Sequence, residues 1–227
     1  MKTVIVTGAK GNLGKSVVLK FLGEGWRVIG TASSERTGAT QLVKEETAVV
    51  DLTDDAASNK FVSVILAKYG TIDAAVLTAG GFAAGKLSET STKEIKQQIE
   101  LNFETAYNIA RPVFLQMMKQ GSGRIILIGS RQGIDIHQGR GAVGYAMSKS
   151  LLFRLAELMN AEAKGTDVVT TVVVPSTIDT PPNRKGMPDA DYSKWVKAEA
   201  IADVIYFQCT EEATVIRESV IKVYGKA

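Results

Sequence analysis

Short apolar runs rich in β-branched residues alternate along the chain with longer stretches of helical periodicity. Seven runs read as strands, at residues 3–7, 27–31, 48–50, 74–78, 124–128, 168–174 and 220–224. Between them the pattern predicts helices at 13–22, 56–69, 92–119, 143–164 and 193–208. Strand and helix in alternation mark βαβ units, because parallel neighbours need a long crossover connection. The expected fold class is therefore α/β: three layers, doubly wound, with a seven-stranded, mostly parallel sheet and helices on both faces. Pro112 falls inside the third helical stretch, where it removes one backbone hydrogen bond and is expected to kink the helix. Residues 177–192, rich in Pro, Asn, Gly and Asp, read as one long loop. Its place beyond a strand's carboxyl end suits a substrate lid.

Composition narrows the function classes. At 227 residues and 45% hydrophobic content the chain can bury one substantial core, so a single domain over 1–227 is expected. The 27 basic and 24 acidic residues are mixed, with no cationic run to track a nucleic-acid backbone. Cys209 is the only cysteine, which excludes an intramolecular disulfide and a cysteine-rich zinc site. Its apolar setting reads as a buried structural thiol, and His137, in a polar loop without a metal partner, is given no role. No signal-peptide core and no apolar stretch of the ~20 residues that span a bilayer is present, so the expectation is a cytoplasmic protein without a membrane partner.

The chemistry begins directly after the first strand, at Thr7-Gly8-Ala9-Lys10-Gly11-Asn12-Leu13-Gly14. A glycine-rich turn between strand and helix is a dinucleotide cradle: Gly8 permits the tight turn, Gly11 the approach of phosphates, Gly14 the close packing of the helix, and the helix N-terminus favours negative charge. The end of the second strand decides which dinucleotide. An acid there would bond the ribose 2′-hydroxyl of NAD, whereas this chain has Ala32, Ser33, Ser34 and then Arg36, with Lys10 in the glycine loop. That set favours NADP(H), with NAD(H) as the alternative if Glu35 turns toward the ribose. Further on, Tyr145 and Lys149 stand four apart on a predicted helix, so they share one face about 5 to 6 Å apart. An ammonium there can lower the tyrosine pKa from roughly 10 and fit the phenol for proton transfer near neutral pH.

Together these residues resemble the short-chain dehydrogenase/reductase family, from Lys2 to about Thr180 and on to the last strand. The glycine loop resembles that family's, with Asn12 in place of its middle glycine. Asp51-Leu52 resembles its adenine-side pair, and Ala79-Gly80 the end of its Asn-Asn-Ala-Gly motif, with Gly81 following and Thr78 where the second asparagine would stand. The resemblance implies a Rossmann-type fold and a catalytic set of Asn102, Ser130, Tyr145 and Lys149. In it Tyr145 transfers the proton, Ser130 bonds the substrate oxygen, Lys149 holds the ribose and tunes the tyrosine, and Asn102 supports a water relay. Pro175, Ser176, Thr177, Ile178 and Thr180 resemble the family's nicotinamide-side stretch, with Ser176 replacing glycine.

Two segments, residues 78–86 and 175–192, resemble the quinonoid dihydropteridine reductases within that family, whereas the second strand resembles NADPH-dependent acyl-carrier-protein reductases. What this implies is an oxidoreductase that moves a hydride between NADP(H) and a carbonyl or alcohol, or a quinonoid dihydropteridine. Phe82 and the lid with Trp195 are expected to line its pocket. The alternative is an NADP(H)-binding regulator or scaffold without turnover. A homodimer or homotetramer is the family norm, built through the helices that carry Asn102 and Tyr145.

Overall fold

The computed structural model describes residues 1–33 and 46–226. In chain order they form β1 (Thr3–Thr7), α1 (Asn12–Gly23), β2 (Arg27–Ala32), β3 (Glu46–Val49), α2 (Asp55–Tyr69), β4 (Ala74–Leu77), α3 (Thr92–Ile99), α4 (Thr105–Gln120) and β5 (Ser122–Ile128). Then follow α5 (Arg131–Ile134), α6 (Ile136–Gly139), α7 (Val143–Glu162), β6 (Asp167–Pro175), β7 (Ile178–Asp179), α8 (Pro181–Gly186), β8 (Val196–Lys197), α9 (Ala198–Phe207) and β9 (Val220–Val223).

Seven strands make one sheet in the order β3-β2-β1-β4-β5-β6-β9, and every pairing in it is parallel. The order reverses between β1 and β4, which opens a crevice at their carboxyl ends. Strand alternation then splits the core. Val4, Val6, Val76 and Ile126 pack with Val17 and Phe21 of α1 and Ile201 and Ile205 of α9. Ile5, Ala75, Ile125 and Leu127 face the other way, onto Phe61 and Ile65 of α2, Ile109 and Val113 of α4 and Leu152 of α7. Three layers follow from a period of two in the strands and one apolar stripe per helix. Asp54 caps α2 by accepting from Ala56 and Ala57 N–H, and Ser91 with Glu94 forms a capping box on α3.

Three expectations are corrected. The helix foreseen over 92–119 is divided, but not at Pro112, which lies within α4; a π-turn over Glu100–Glu104 intervenes. The stretch read as one loop is largely built, since Thr180 caps α8, Pro181 starts it, and β7 pairs in parallel with β8. The last predicted helix begins at Ala198 rather than 193, because Tyr192–Lys194 closes a separate 3-10 turn. Among the described residues, no helix is long and apolar enough to cross a membrane.

Candidate active site

The glycine turn has the geometry its residues require. Gly8 has φ +62°, Gly11 donates its N–H to Gly8 O at 2.8 Å, and Lys15 N–H returns to Gly11 O at 2.9 Å. A Cβ on Gly14 would stand 2.2 Å from Gly8 O, so only glycine lets α1 start this close to the turn. Unlike α2 and α3, α1 has neither a capping side chain nor an acid in its first turn. Its leading N–H groups are left for an anion. Asn12, exposed, and Leu13, buried, begin the helix, and half-buried Lys10 precedes it. The turn is fastened to the neighbouring strand end, since Thr78 Oγ1 donates to Thr7 O at 2.6 Å and Ala79 N–H to Thr7 Oγ1 at 3.1 Å.

At the end of β2, Ala32 is buried and Ser33 exposed; Ser34, Glu35 and Arg36 lie outside the described residues. Beyond β3, Asp51 accepts from Thr53 N and Oγ1 at 2.9 and 2.7 Å, and Leu52 is buried in the core. Asn108 of α4 holds this turn, donating to Leu52 O at 2.9 Å. Past β6 the carried-over residues divide. Ser176 turns away, its Oγ donating to Tyr224 O at 2.9 Å, while buried Thr180 caps α8. Pro175 ends β6, Thr177 O accepts Val196 N–H at 3.0 Å, and Ile178 packs toward the α1 and α9 core.

Ser130, Tyr145 and Lys149 come together beside this crevice. Ser130 is buried at the head of α5, accepts from Gly133 N–H at 3.2 Å and is hydrogen-bonded to the Tyr145 hydroxyl. Gly133 allows the approach, because a Cβ on it would meet Lys149 Cβ at 2.9 Å. Lys149 is 6% exposed, and its Nζ donates to Ile128 O at 2.7 Å. Burial pulls its pKa down to about 8. The tuning foreseen for Tyr145 is reversed: burial pushes its pKa up, and the Ser130 hydrogen bond offsets only part of that. Lys149 Nζ lies 5.9 Å from the Tyr145 ring centroid and is not hydrogen-bonded to its hydroxyl. Phe82, 63% exposed, sets its ring edge-on to Tyr145 at 5.0 Å, whereas Trp195 packs against Tyr192.

Asn102 projects from the π-turn and brackets Gly81, accepting its N–H and donating to its carbonyl, each at 3.0 Å. Gly80, at φ +150°, is pressed so close that a Cβ would meet Asn102 Oδ1 at 2.6 Å and Lys149 Nζ at 3.5 Å. The amide thus fixes the backbone beside Lys149. Sequence reasoning missed Gln98, one turn earlier, which is buried and accepts from Asn102 Nδ2 at 3.3 Å. Its i, i+4 spacing to Asn102 was the available signal.

The model of the family described as short chain dehydrogenase matches residues 2–190. A 3-oxoacyl-[acyl-carrier-protein] reductase FabG of Thermotoga maritima is 28% identical, over 99% of this chain and 96% of its own. A cyclic-di-GMP-binding biofilm dispersal mediator protein of Escherichia coli is 30% identical, over 84% of this chain and 78% of its own. The structure of ElxO with NADP bound superposes with a TM-score of 0.89 at 23% identity, covering 99% of this chain and 97% of the other. With the glycine turn, the Ser130, Tyr145 and Lys149 cluster and a family match over most of its length, the chain belongs to the short chain dehydrogenase family and is an oxidoreductase.

Proposed function

We propose that this single-domain protein is an NADP(H)-dependent carbonyl reductase in which Tyr145 delivers the proton. The observation that carries the reading is the cluster of half-buried Tyr145 with buried Ser130 and Lys149, beside the uncapped N-terminus of α1. Bound along the glycine turn, a reduced nicotinamide dinucleotide supplies the hydride, and the carbonyl leaves as an alcohol. Gly8, Gly11, Asn12, Leu13 and Gly14 offer backbone to the pyrophosphate, and Asp51 and Leu52 flank the adenine. Ala79, Gly80, Gly81, Pro175, Thr177, Ile178 and Thr180 would border the nicotinamide.

The protein's own work is the proton. A phenol whose pKa is raised by burial stays protonated at neutral pH, which suits it to donate to the substrate oxygen during reduction. Ser130, already within reach of that hydroxyl, steadies the same oxygen. Lys149, with a pKa of about 8, is mostly cationic at neutral pH and stabilises the tyrosinate left behind. Asn102 positions Gly80 and Gly81 rather than touching the phenol.

NADP(H) is favoured over NAD(H) because Ala32 and Ser33 present no carboxylate, and the sequence continues Ser34-Glu35-Arg36, with NAD(H) the alternative if Glu35 turns to the ribose. Carbonyl compounds are the leading substrate class, supported by the reductase relatives, and a quinonoid dihydropteridine is the second candidate. Exposed Tyr107 and Leu115 on α4, with Leu151 and Leu158 on α7, support a homodimer or homotetramer. A regulator without turnover draws on the biofilm-related relative but leaves the paired hydroxyls of Ser130 and Tyr145 without a task.

The test is loss of NADPH absorbance with a panel of ketones, aldehydes, thioesters and quinonoid dihydropterin, run on wild type and Tyr145→Phe. Turnover is expected to fall about 10²- to 10⁴-fold in the variant while NADPH still binds. Full activity without the hydroxyl removes Tyr145 from the mechanism. A lower Michaelis constant for NADH than for NADPH reverses the cofactor assignment.

A further inference from the structure

A cavity of about 180 Å³ lies on one side of Tyr145, walled by Ala84, Gly85, Thr90, Gln98, Gly144 and the tyrosine itself. Glycines keep it open: a Cβ on Gly144 would stand 3.4 Å from Gln98 Cγ, and one on Gly85 2.6 Å from Thr90 Oγ1. Most polar groups on the wall are already bonded. Gly85 donates to Gly141 O and accepts from Val143 N–H, each at 2.9 Å, and the Thr90 hydroxyl donates to Lys86 O at 2.8 Å.

Gln98 differs from them. It is 9% exposed, its Oε1 is taken by Asn102, and its Nε2 has no hydrogen-bond partner among the described residues. An amide donor on the wall of the cavity that no protein acceptor engages is open to an acceptor on a ligand. The charged group on the same wall is Glu94, whose carboxylate accepts from Ser91 N and Oγ at 2.7 Å. Those two contacts hold its pKa below the usual range, so it is ionised at neutral pH and repels a second anion. A cavity of this size holds about six water-sized groups, enough for a short substituent and too little for a long acyl chain.

We propose that this cavity is a side pocket of the active site that receives a neutral hydroxyl-bearing substituent of the substrate, which accepts a hydrogen bond from Gln98 and donates toward Glu94. The protein is then selective for small hydroxylated carbonyl compounds. The proposal rests on the reading of Tyr145 as the proton donor, because the pocket shares its ring.

The experiment compares kcat/KM for hydroxyacetone, butanone and pyruvate, three ketones of similar size that differ in whether the arm is hydroxylated, apolar or anionic. Wild type is expected to favour hydroxyacetone over butanone by about tenfold and to use pyruvate least. Gln98→Leu should bring the ratio of the first two near one. Ala84→Leu fills the cavity without touching Asn102, and should erase the ratio as well; it decides the matter if Gln98→Leu does not fold. A wild-type ratio near one, or a ratio that survives both variants, overturns the pocket and leaves the reductase reading intact. Failure to reduce any carbonyl overturns both.

Discussion

The glycine turn between β1 and α1 and the segment from β7 to β8 each follow the carboxyl end of a sheet strand, yet they are made of different materials. The turn is held by backbone: Gly11 to Gly8, Lys15 to Gly11, and Ala9 N–H to Thr31 O at 3.0 Å. The β7 to β8 segment is held largely by side chains. Arg184 makes a bidentate pair with Asp179 at 2.6 and 2.8 Å, Asn183 donates to Ile178 O at 2.8 Å, and the Tyr192 hydroxyl reaches Pro188 O at 2.9 Å. Backbone bonds between buried strands survive most substitutions, but a shape set by close approach does not survive an added carbon. Exposed side-chain bonds contribute little each and can be exchanged singly. The fold thus keeps the glycine turn rigid and leaves the β7 to β8 segment adjustable.

The largest effect should come from Gly14→Ala, whose new carbon meets Gly8 O. It is expected to destabilise by about 3 kcal/mol and to weaken NADPH binding on the order of 100-fold, read by urea unfolding and by fluorescence titration. A variant with wild-type affinity would dissolve the contrast between rigid and adjustable sides.

Buried Lys149, bonded to Ile128 O, gives a signature in pH. Its folded pKa of about 8 lies below the ordinary 10.5, so between these values the unfolded chain binds more protons and stability from this residue rises with pH. Below about 8 the burial penalty is fully present. Unfolding free energies at pH 7.5 and 9.5, compared with those of Lys149→Met, should differ in their change by on the order of 1 to 2 kcal/mol. Equal pH dependence in both proteins would mean that the amine is not desolvated in the free enzyme.

Smaller effects belong to the side-chain-built segment. Tyr192→Phe removes one hydroxyl and should cost about 0.5 to 1.5 kcal/mol, with a rise in KM larger than any fall in kcat. Arg184→Met breaks an exposed pair and should shift stability by less than about 1 kcal/mol. If either change weakened NADPH binding as strongly as Gly14→Ala, the segment would be part of the rigid side after all.

How much could be read in advance follows the same division. All seven strands of the sheet were legible, because buried parallel strands such as residues 168–174 are continuous apolar runs. The glycine turn was legible because its demands are made on backbone, and backbone demands select one residue type. The π-turn at Glu100–Glu104 was not: nothing in a run of good helix formers announces one extra residue per turn, and Pro112 drew attention to a place where the helix continues. The order within residues 177–197 arises from pairs such as Asp179 with Arg184 and Tyr192 with Pro188, which periodicity does not register. Tyr145 and Lys149 were found by spacing, but the direction of the tyrosine's shift depends on burial, which spacing alone does not reveal.

The strand order has a consequence for the growing chain. β6 is covered on one edge by β5 and on the other by β9, which is synthesised later and whose neighbour Tyr224 accepts the Ser176 hydroxyl at its carbonyl. Until Val220–Val223 leaves the ribosome, an apolar strand carrying Val172, Val173 and Val174 presents an unpaired edge, the form in which nascent chains stick to one another. Val220–Val223 therefore acts as a closing seam, and a ribosome that stalls just before it should release material prone to aggregate.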